Sequence, residues 1–201
     1  MHKKIISDKL IGFYDKKIKK LSEKLITKDQ KIEKLKCLVD INSIIASSLD
    51  KKRVLKTILE QTKNLIGCAK SSILLIDNET NQLVFEVLTN EEEEKILSDV
   101  RLNIGEGIAG SVWQNGKPLL IKDAQNDSRF SKKADSKSEF VTTSIIAVPL
   151  ISNGKIIGVM EAINKIDNTF FNSYDLYLFE HLSIQAAVAL DNASLYEMAI
   201  S

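Results

Sequence analysis

The apolar positions of this chain change their period from one segment to the next. From Ile11 to Asn42 they recur every seven residues: Ile11, Ile18, Leu25, Ile32 and Val39 hold one position, and Tyr14, Leu21, Lys28, Leu35 and Asn42 hold the next. Eight of these ten are apolar, the seam of a coiled coil. Branched residues at the first position with Leu at the second favour a parallel two-stranded coil, and Lys28 and Asn42 weaken the seam while fixing its register. A single long helix packed on its own domain is the alternative. A second helical stripe follows, with Val54, Leu55, Ile58, Leu59, Thr62 and Leu65 on one face. Asp50 suits its N-cap and Gly67 its stop.

Beyond Gly67 the pattern shortens to that of strands. Ser71–Ile76 and Gln82–Leu88 flank the turn cluster 77–81 and read as a hairpin. Glu91–Leu97 reads as a short acidic helix or loop with a solvated glutamate run, and Val100–Ile104 as a third strand. A helix over Gly107–Asn115 is ended by Gly116-Lys117-Pro118, and Leu119–Ile121 is a further short strand. Ile145–Ile151 and Ile156–Ile163 are nearly continuous apolar runs joined through Asn153-Gly154, a strong hairpin signature, and both of their faces are expected to be covered. A last helix starts near Asn172, with Phe179, Leu182, Ala186, Ala189, Ala193 and Tyr196 as its stripe. The fold class is therefore α+β: an antiparallel sheet with helices on its faces, preceded by a long coiled-coil helix.

Composition adds boundaries rather than a function. The 201 residues carry a net charge of +1, with 44% hydrophobic and 27% charged residues, as in a globular protein with a real core. Residues 1–36 hold twelve lysines against five acids, a local +7. On the outside of a long helix such charge is a solvated face, so no nucleic-acid or membrane partner is expected. No run approaches the ~18–20 apolar residues of a membrane span. Cys37 and Cys68 make neither a disulfide framework nor a zinc site, and a reducing cytoplasm is the expected location.

Catalytic signatures are scarce. His2 and His181 have no partner at metal-ligand spacing, and no metalloprotease, P-loop or nucleophile-elbow motif occurs. Gly105-Glu106-Gly107-Ile108-Ala109-Gly110 fits a dinucleotide fingerprint, but hairpins rather than parallel crossovers surround it. It reads as a glycine-rich turn into a helix whose first N–H groups could meet a ligand. Glu161 is more informative. It shares a strand face with Ile157, Val159 and Ile163, where a carboxylate is costly unless paired. It either finds a structural donor or faces a polar ligand.

Four segments resemble GAF domains, small-molecule-binding regulatory modules of signalling proteins: SSILLID at 71–77, IGEGIAGSVWQNGKPLLIKDAQNDSRF at 104–130, IIAVPLISNGKIIGVMEAINK at 145–165 and FNSYDLYLFEHLSIQAAVALDNASLYE at 171–197. The resemblance implies a GAF domain over 38–198, which leaves the coiled coil read from the heptads over 1–37 and a tail over 199–201. Asn164, Lys165, Phe171 and Asp175 are similar to the motif of the cyclic-nucleotide-binding subset, with Leu176 in place of its final Glu. There Lys165 and Asp175 would form a salt bridge behind the pocket.

The same resemblance places Ser72, Leu88, Thr89, Ile108, Ala109, Ser131, Asp135, Ser138, Thr142 and Glu161 around a ligand. Ser138 and Thr142, four apart, would offer hydroxyls to a cyclic phosphate from one helix face. Leu88 and Thr89 stand where guanine-binding examples have an aromatic and an acid, so adenine is at least as well accommodated as guanine. Bilin attachment and methionine-sulfoxide chemistry lack suitably placed cysteines. The expectation is a non-catalytic cytoplasmic sensor that takes a small-molecule ligand (a cyclic nucleotide, cAMP or cGMP, being the candidate). No resident cofactor or metal is expected. The sensor would signal as a homodimer or to a downstream effector. A ligand-free dimerisation module is the alternative.

Overall fold

The computed structural model describes residues 50–138 and 140–200, with side chains to Tyr196, and Lys17 and Lys20 before them. The heptad segment otherwise lies outside the described residues. The chain divides into two compact units, Met1–Val39 and Asp40–Ser201, and every strand among the described residues belongs to the second.

The first helix of that unit, α1 (Lys51–Ile66), begins where the Asp50 side chain accepts a hydrogen bond from the Arg53 N–H at 3.1 Å. It ends at Gly67, whose left-handed φ of 65° turns its N–H onto the Lys63 carbonyl. All six residues of the expected stripe are buried. The remaining elements are β1 (Cys68–Asp77), β2 (Gln82–Leu88), α2 (Glu91–Leu97), β3 (Arg101–Leu102), α3 (Gly107–Asn115), β4 (Leu119–Ile121), α4 (Lys133–Ser138), β5 (Ile145–Ser152), β6 (Lys155–Lys165) and α5 (Ser173–Ile200). The strands form one antiparallel sheet in the order β3-β2-β1-β6-β5-β4.

The sheet separates two apolar layers. On one side α1 and α5 pack against each other and against β1 and β5. Ile73, Ile146, Val148, Met160 and Ala162 are fully buried there. On the other side Leu74, Leu88, Ile145, Ala147 and Val159 pack with Leu97 of α2 and with Ile108, Ala109 and Val112 of α3. Covering both faces explains the continuous apolar runs of β5 and β6. Their hairpin closes through Asn153 at φ 49° and Gly154 at φ 76°, the two positive φ values that an Asn-Gly turn requires.

Several elements differ from expectation. β1 starts three residues early, so Cys68 lies in the strand. The third strand shrinks to two residues because the Glu106 carboxylate accepts from the Asn103 backbone and side chain, turning the chain out of the sheet. Five of the six residues of α5's stripe, Phe179 through Ala193, are buried, whereas Tyr196, one turn past Ala193, faces outward. The helix continues to Ile200, beyond the expected boundary at 198. The glutamate run is half wrong as a solvated face: Glu93 and Glu94 fold inward to pair with Lys70 and Lys52.

β1 and β6 meet most closely at Gly158, where an added Cβ would lie 2.3 Å from the Leu74 carbonyl oxygen. Gly158→Ala must push two central strands apart and is expected to cost about 3 kcal/mol. Gly67→Ala meets nothing within 4 Å and costs about 1 kcal/mol of backbone strain. Urea unfolding midpoints check the order, and equal midpoints would contradict it.

Candidate functional site

The apolar layer beside α2 and α3 is not filled. Between the sheet, the first turn of α3 and the lid segment around α4 lies a cavity of ≈ 70 Å³. That is room for a few waters.

Its floor is formed where β1 and β6 pair Ser72 with Glu161. Strand alternation turns both side chains away from α1 and α5 and into the cavity. Ser72 is 3% and Glu161 8% exposed. Among the described residues, the Ser72 hydroxyl oxygen is the one fully buried side-chain polar atom without a hydrogen-bond partner. No side chain or backbone group of the described chain donates to Glu161 either. Burial alone pushes its carboxyl up to about 7, because nothing nearby compensates the lost hydration of the charged form. Of the two sequence alternatives for Glu161, the structural donor is absent from the described residues.

One wall is the first turn of α3. Gly107, at φ 70°, lets the backbone pass Ser131, whose Cβ would lie 3.3 Å from any Cβ added there. Ile108 and Ala109 follow in the first helical turn, where N–H groups have no intrahelical acceptor. Leu88 closes a side. The lid contributes Ser131, Asp135, Ser138 and Thr142.

Nine of the ten expected lining residues thus surround one cavity, and Thr89 does not. Its hydroxyl is engaged with Ser71, accepting from the backbone N–H at 3.3 Å and donating to the carbonyl at 3.4 Å. The expected helical pairing of Ser138 and Thr142 also fails, because α4 ends at Ser138. Beyond it Asp135 accepts from the Thr142 N–H at 2.9 Å and hydroxyl at 2.6 Å, folding that residue back across the lid. The Ser138 hydroxyl meanwhile donates to the Ala134 carbonyl at 3.0 Å. Both hydroxyls would have to change partners to donate to a ligand.

Asn164, Lys165, Phe171 and Asp175 lie outside the cavity lining and fasten its frame. The Asn164 side chain accepts from Thr143 and Ser144 and donates to the Val141 carbonyl, binding the end of the lid to the sheet. Lys165 and Asp175 form an ion pair at 2.6 Å with Asp175 2% exposed. Asp175 also accepts from the Asn172 N–H, while Asn172 accepts from the N–H groups of Tyr174 and Asp175, a reciprocal cap that starts α5. Phe171 is buried below the Lys165 ammonium.

Sequence reasoning missed Lys70, Glu93 and Phe140, which also line the cavity. Lys70 was legible, since it precedes Ser72 by two residues on the same strand face. The described residues hold no group of three or more His, Cys, Asp or Glu side chains placed to share a metal ion.

A cavity between an antiparallel sheet and a lid, with helices from both ends on the opposite face, agrees with the family match. The GAF domain profile matches residues 50–190. The chain belongs to the GAF domain family. Among curated proteins it is 29% identical to a probable 3',5'-cyclic phosphodiesterase, pde-5, of Caenorhabditis elegans, over 86% of this chain and 24% of that protein. It is 27% identical to a dual 3',5'-cyclic-AMP and -GMP phosphodiesterase 11 of Drosophila melanogaster, over 84% of this chain and 12% of that one. The chain therefore spans a quarter or less of these relatives. Among solved structures, the GAF domain of a phosphoenolpyruvate-protein phosphotransferase from Coxiella burnetii superposes with a TM-score of 0.73 at 19% identity. The match covers 83% of this chain and 98% of that one. Free methionine-R-sulfoxide reductase from Neisseria meningitidis gives 0.68 at 21% identity, over 81% and 91%. At such identities these two establish the fold alone.

The unpaired Glu161 makes the GAF domain's stability depend on pH. Its folded-state value of about 7 lies above the ordinary 4.5. The unfolded chain therefore loses this proton first as pH rises. Stability is lost between those two values and stays low above them, by about 3 kcal/mol in full. Glu161→Gln is expected to match the parent near pH 4 and exceed it near pH 8. Denaturant unfolding across that range checks this, and parallel profiles would contradict it.

Proposed function

We propose that this GAF domain is a non-catalytic sensor whose cavity takes a cyclic nucleotide and whose helices carry the signal onward. The observation that carries the reading is the pair of unsatisfied polar groups on the cavity floor. A buried hydroxyl and a buried carboxyl without partners cost stability. They are relieved together by a ligand that carries both a donor and an acceptor, as a nucleotide's ribose and base do. The kinship with segments of cyclic-nucleotide phosphodiesterases supports the same ligand class. Ser131 and the first turn of α3 supply N–H and hydroxyl groups where a phosphate would lie.

Access requires the lid to move, because a cavity of ≈ 70 Å³ is too small for a nucleotide. The lid is suited to that. α4 has no buried residue. It is held by ion pairs from Lys133 to Glu106 and from Lys137 to Asp99, both well exposed on the lysine side and therefore weak. Asn164 transmits a lid movement to the end of β6, and Lys165–Asp175 transmits it to the start of α5. For output, α5 keeps Tyr177, Ile184, Val188 and Leu195 exposed at spacings of seven, four and seven, which suits a second copy or an effector helix. The small cavity favours the second reading, an interaction module whose pocket stays closed.

Thermal unfolding with cAMP, cGMP and the corresponding 5'-monophosphates at about 1 mM separates the two. A ligand at a hundredfold excess over its dissociation constant stabilises by about 2.7 kcal/mol, a rise in Tm of about 5–10 °C. The expected result is such a rise with a cyclic nucleotide and none with its linear counterpart. No rise with either cyclic nucleotide favours the interaction module.

A further inference from the structure

The first turn of α1 carries charge of the wrong sign. It holds Lys51, Lys52 and Arg53 and no acid, and Lys56 follows one turn on. A helix N-terminus is the positive end of the backbone dipole, so cations there oppose the helix. Each of these lysines is answered from outside α1. Lys51 pairs with Glu86 of β2 at 2.9 Å, Lys52 with Glu94 of α2, and Lys56 with Glu91 of α2 at 2.5 Å. The order of this helix start therefore depends on where α2 stands.

α2 is also part of the cavity wall, where Glu93 and Leu97 line it. Its neighbour Glu94 faces both ways. Glu94 Oε1 meets the Lys52 ammonium, and Oε2 accepts from the N–H of Leu88, a lining residue, at 3.4 Å. α2 has one buried residue, Leu97, so it is seated by a single apolar side chain and by charges, including the pair of Glu93 with Lys70. Its C-terminal end meets the lid. α4 packs against α2, and Lys137 of α4 pairs at 2.6 Å with Asp99, two residues past Leu97.

We infer that α2 relays the state of the lid to the first turn of α1; the inference rests on the cyclic-nucleotide reading for the ligand that opens the lid, whereas the relay is a property of the chain alone. When α4 leaves its place, α2 loses the Lys137–Asp99 pair and the packing of the lid. Held by one buried side chain, it shifts. Glu91 and Glu94 then draw away from Lys56 and Lys52, and the first turn of α1 is left with cations that the helix dipole repels. Exposed pairs of this kind are individually weak, so the turn is poised rather than locked. Lys51 keeps its partner, because Glu86 belongs to the sheet. The domain thus has an output at α1 that is separate from the path through Asn164 and Lys165 to α5.

The test is amide hydrogen exchange of the full chain, read residue by residue by NMR from Arg53, whose N–H the Asp50 side chain holds, to Thr57. The double variant Glu91→Gln/Glu94→Gln is expected to speed these amides about three- to fivefold, the effect of losing two exposed pairs. Lys137 pairs with Asp99 rather than with α1, yet Lys137→Gln is expected to speed the same amides about twofold, and Asp99→Asn to repeat it. Amides of β5 and β6 are expected to stay unchanged in every variant, which shows that the fold is kept. Saturating the parent with whichever of cAMP and cGMP binds is expected to speed residues 53–57 as well, and to add little in the double variant. Unchanged exchange at 53–57 in the double variant, in both Lys137→Gln and Asp99→Asn, or in the nucleotide-bound parent overturns the inference and leaves the cyclic-nucleotide reading standing. Failure of both nucleotides to bind overturns that reading, and Lys137→Gln and Asp99→Asn then decide the relay by themselves.

Discussion

Glu161 sits between Ala147 and Ser72 across three adjacent strands, with no donor from the described chain and with its carboxyl raised to about 7 by burial. A globular domain optimised for stability alone would place an aliphatic residue there, as it does at neighbouring Val159 and Ile163. The surroundings make sense once the unpaired group is taken as a fixed requirement. The sheet must keep Glu161 covered from bulk solvent, which α3 and the lid achieve. It must also hold Glu161 in place, which the close β1–β6 contact at Gly158 and the anchored ends of β6 achieve.

The two sides of the sheet are accordingly built from different materials. The side under α1 and α5 is filled with fully buried aliphatic and aromatic residues and supplies the rigid support. The side under the lid is closed partly by Phe130 and Ala134, which are only partly buried, and partly by hydrogen bonds and ion pairs among polar residues: Asp135 to Thr142, Gln125 to the Thr142 carbonyl, and exposed lysine pairs at either end of α4. Such contacts exchange with water at little net cost, whereas aliphatic packing does not. The segment able to open is therefore the one that covers the unpaired groups, and its C-terminal end is tied to β6 through Asn164.

The elements carried by local chemistry were legible in the sequence. Asp50, Gly67, Asn153-Gly154 and Asn172 each state a cap or a turn through backbone requirements that few other residues meet, and the structure uses all four. Period-two alternation put Glu161 on one face with Ile157, Val159 and Ile163, and the resemblance put Ser72 at the ligand, whereas their adjacency came from the pairing of β1 with β6. What escaped depended on contacts distant in sequence. Glu93 looked solvated because it lies in a run of four glutamates, and its partner is twenty-three residues earlier. Thr142 looked helical because the spacing to Ser138 fits a helix, until the Asp135 carboxylate competes for its backbone. Phe140 carries no local signal for its position above Lys70.

The central claim is that the cavity holds a ligand against its floor. A crystal structure of the full chain grown with cGMP tests that most directly. It is expected to show the nucleotide beneath a displaced lid, with polar atoms within hydrogen-bond distance of Ser72 Oγ and the Glu161 carboxylate. Well-ordered protein with the nucleotide bound elsewhere, or with the cavity closed over Glu161 as it is without ligand, would contradict it.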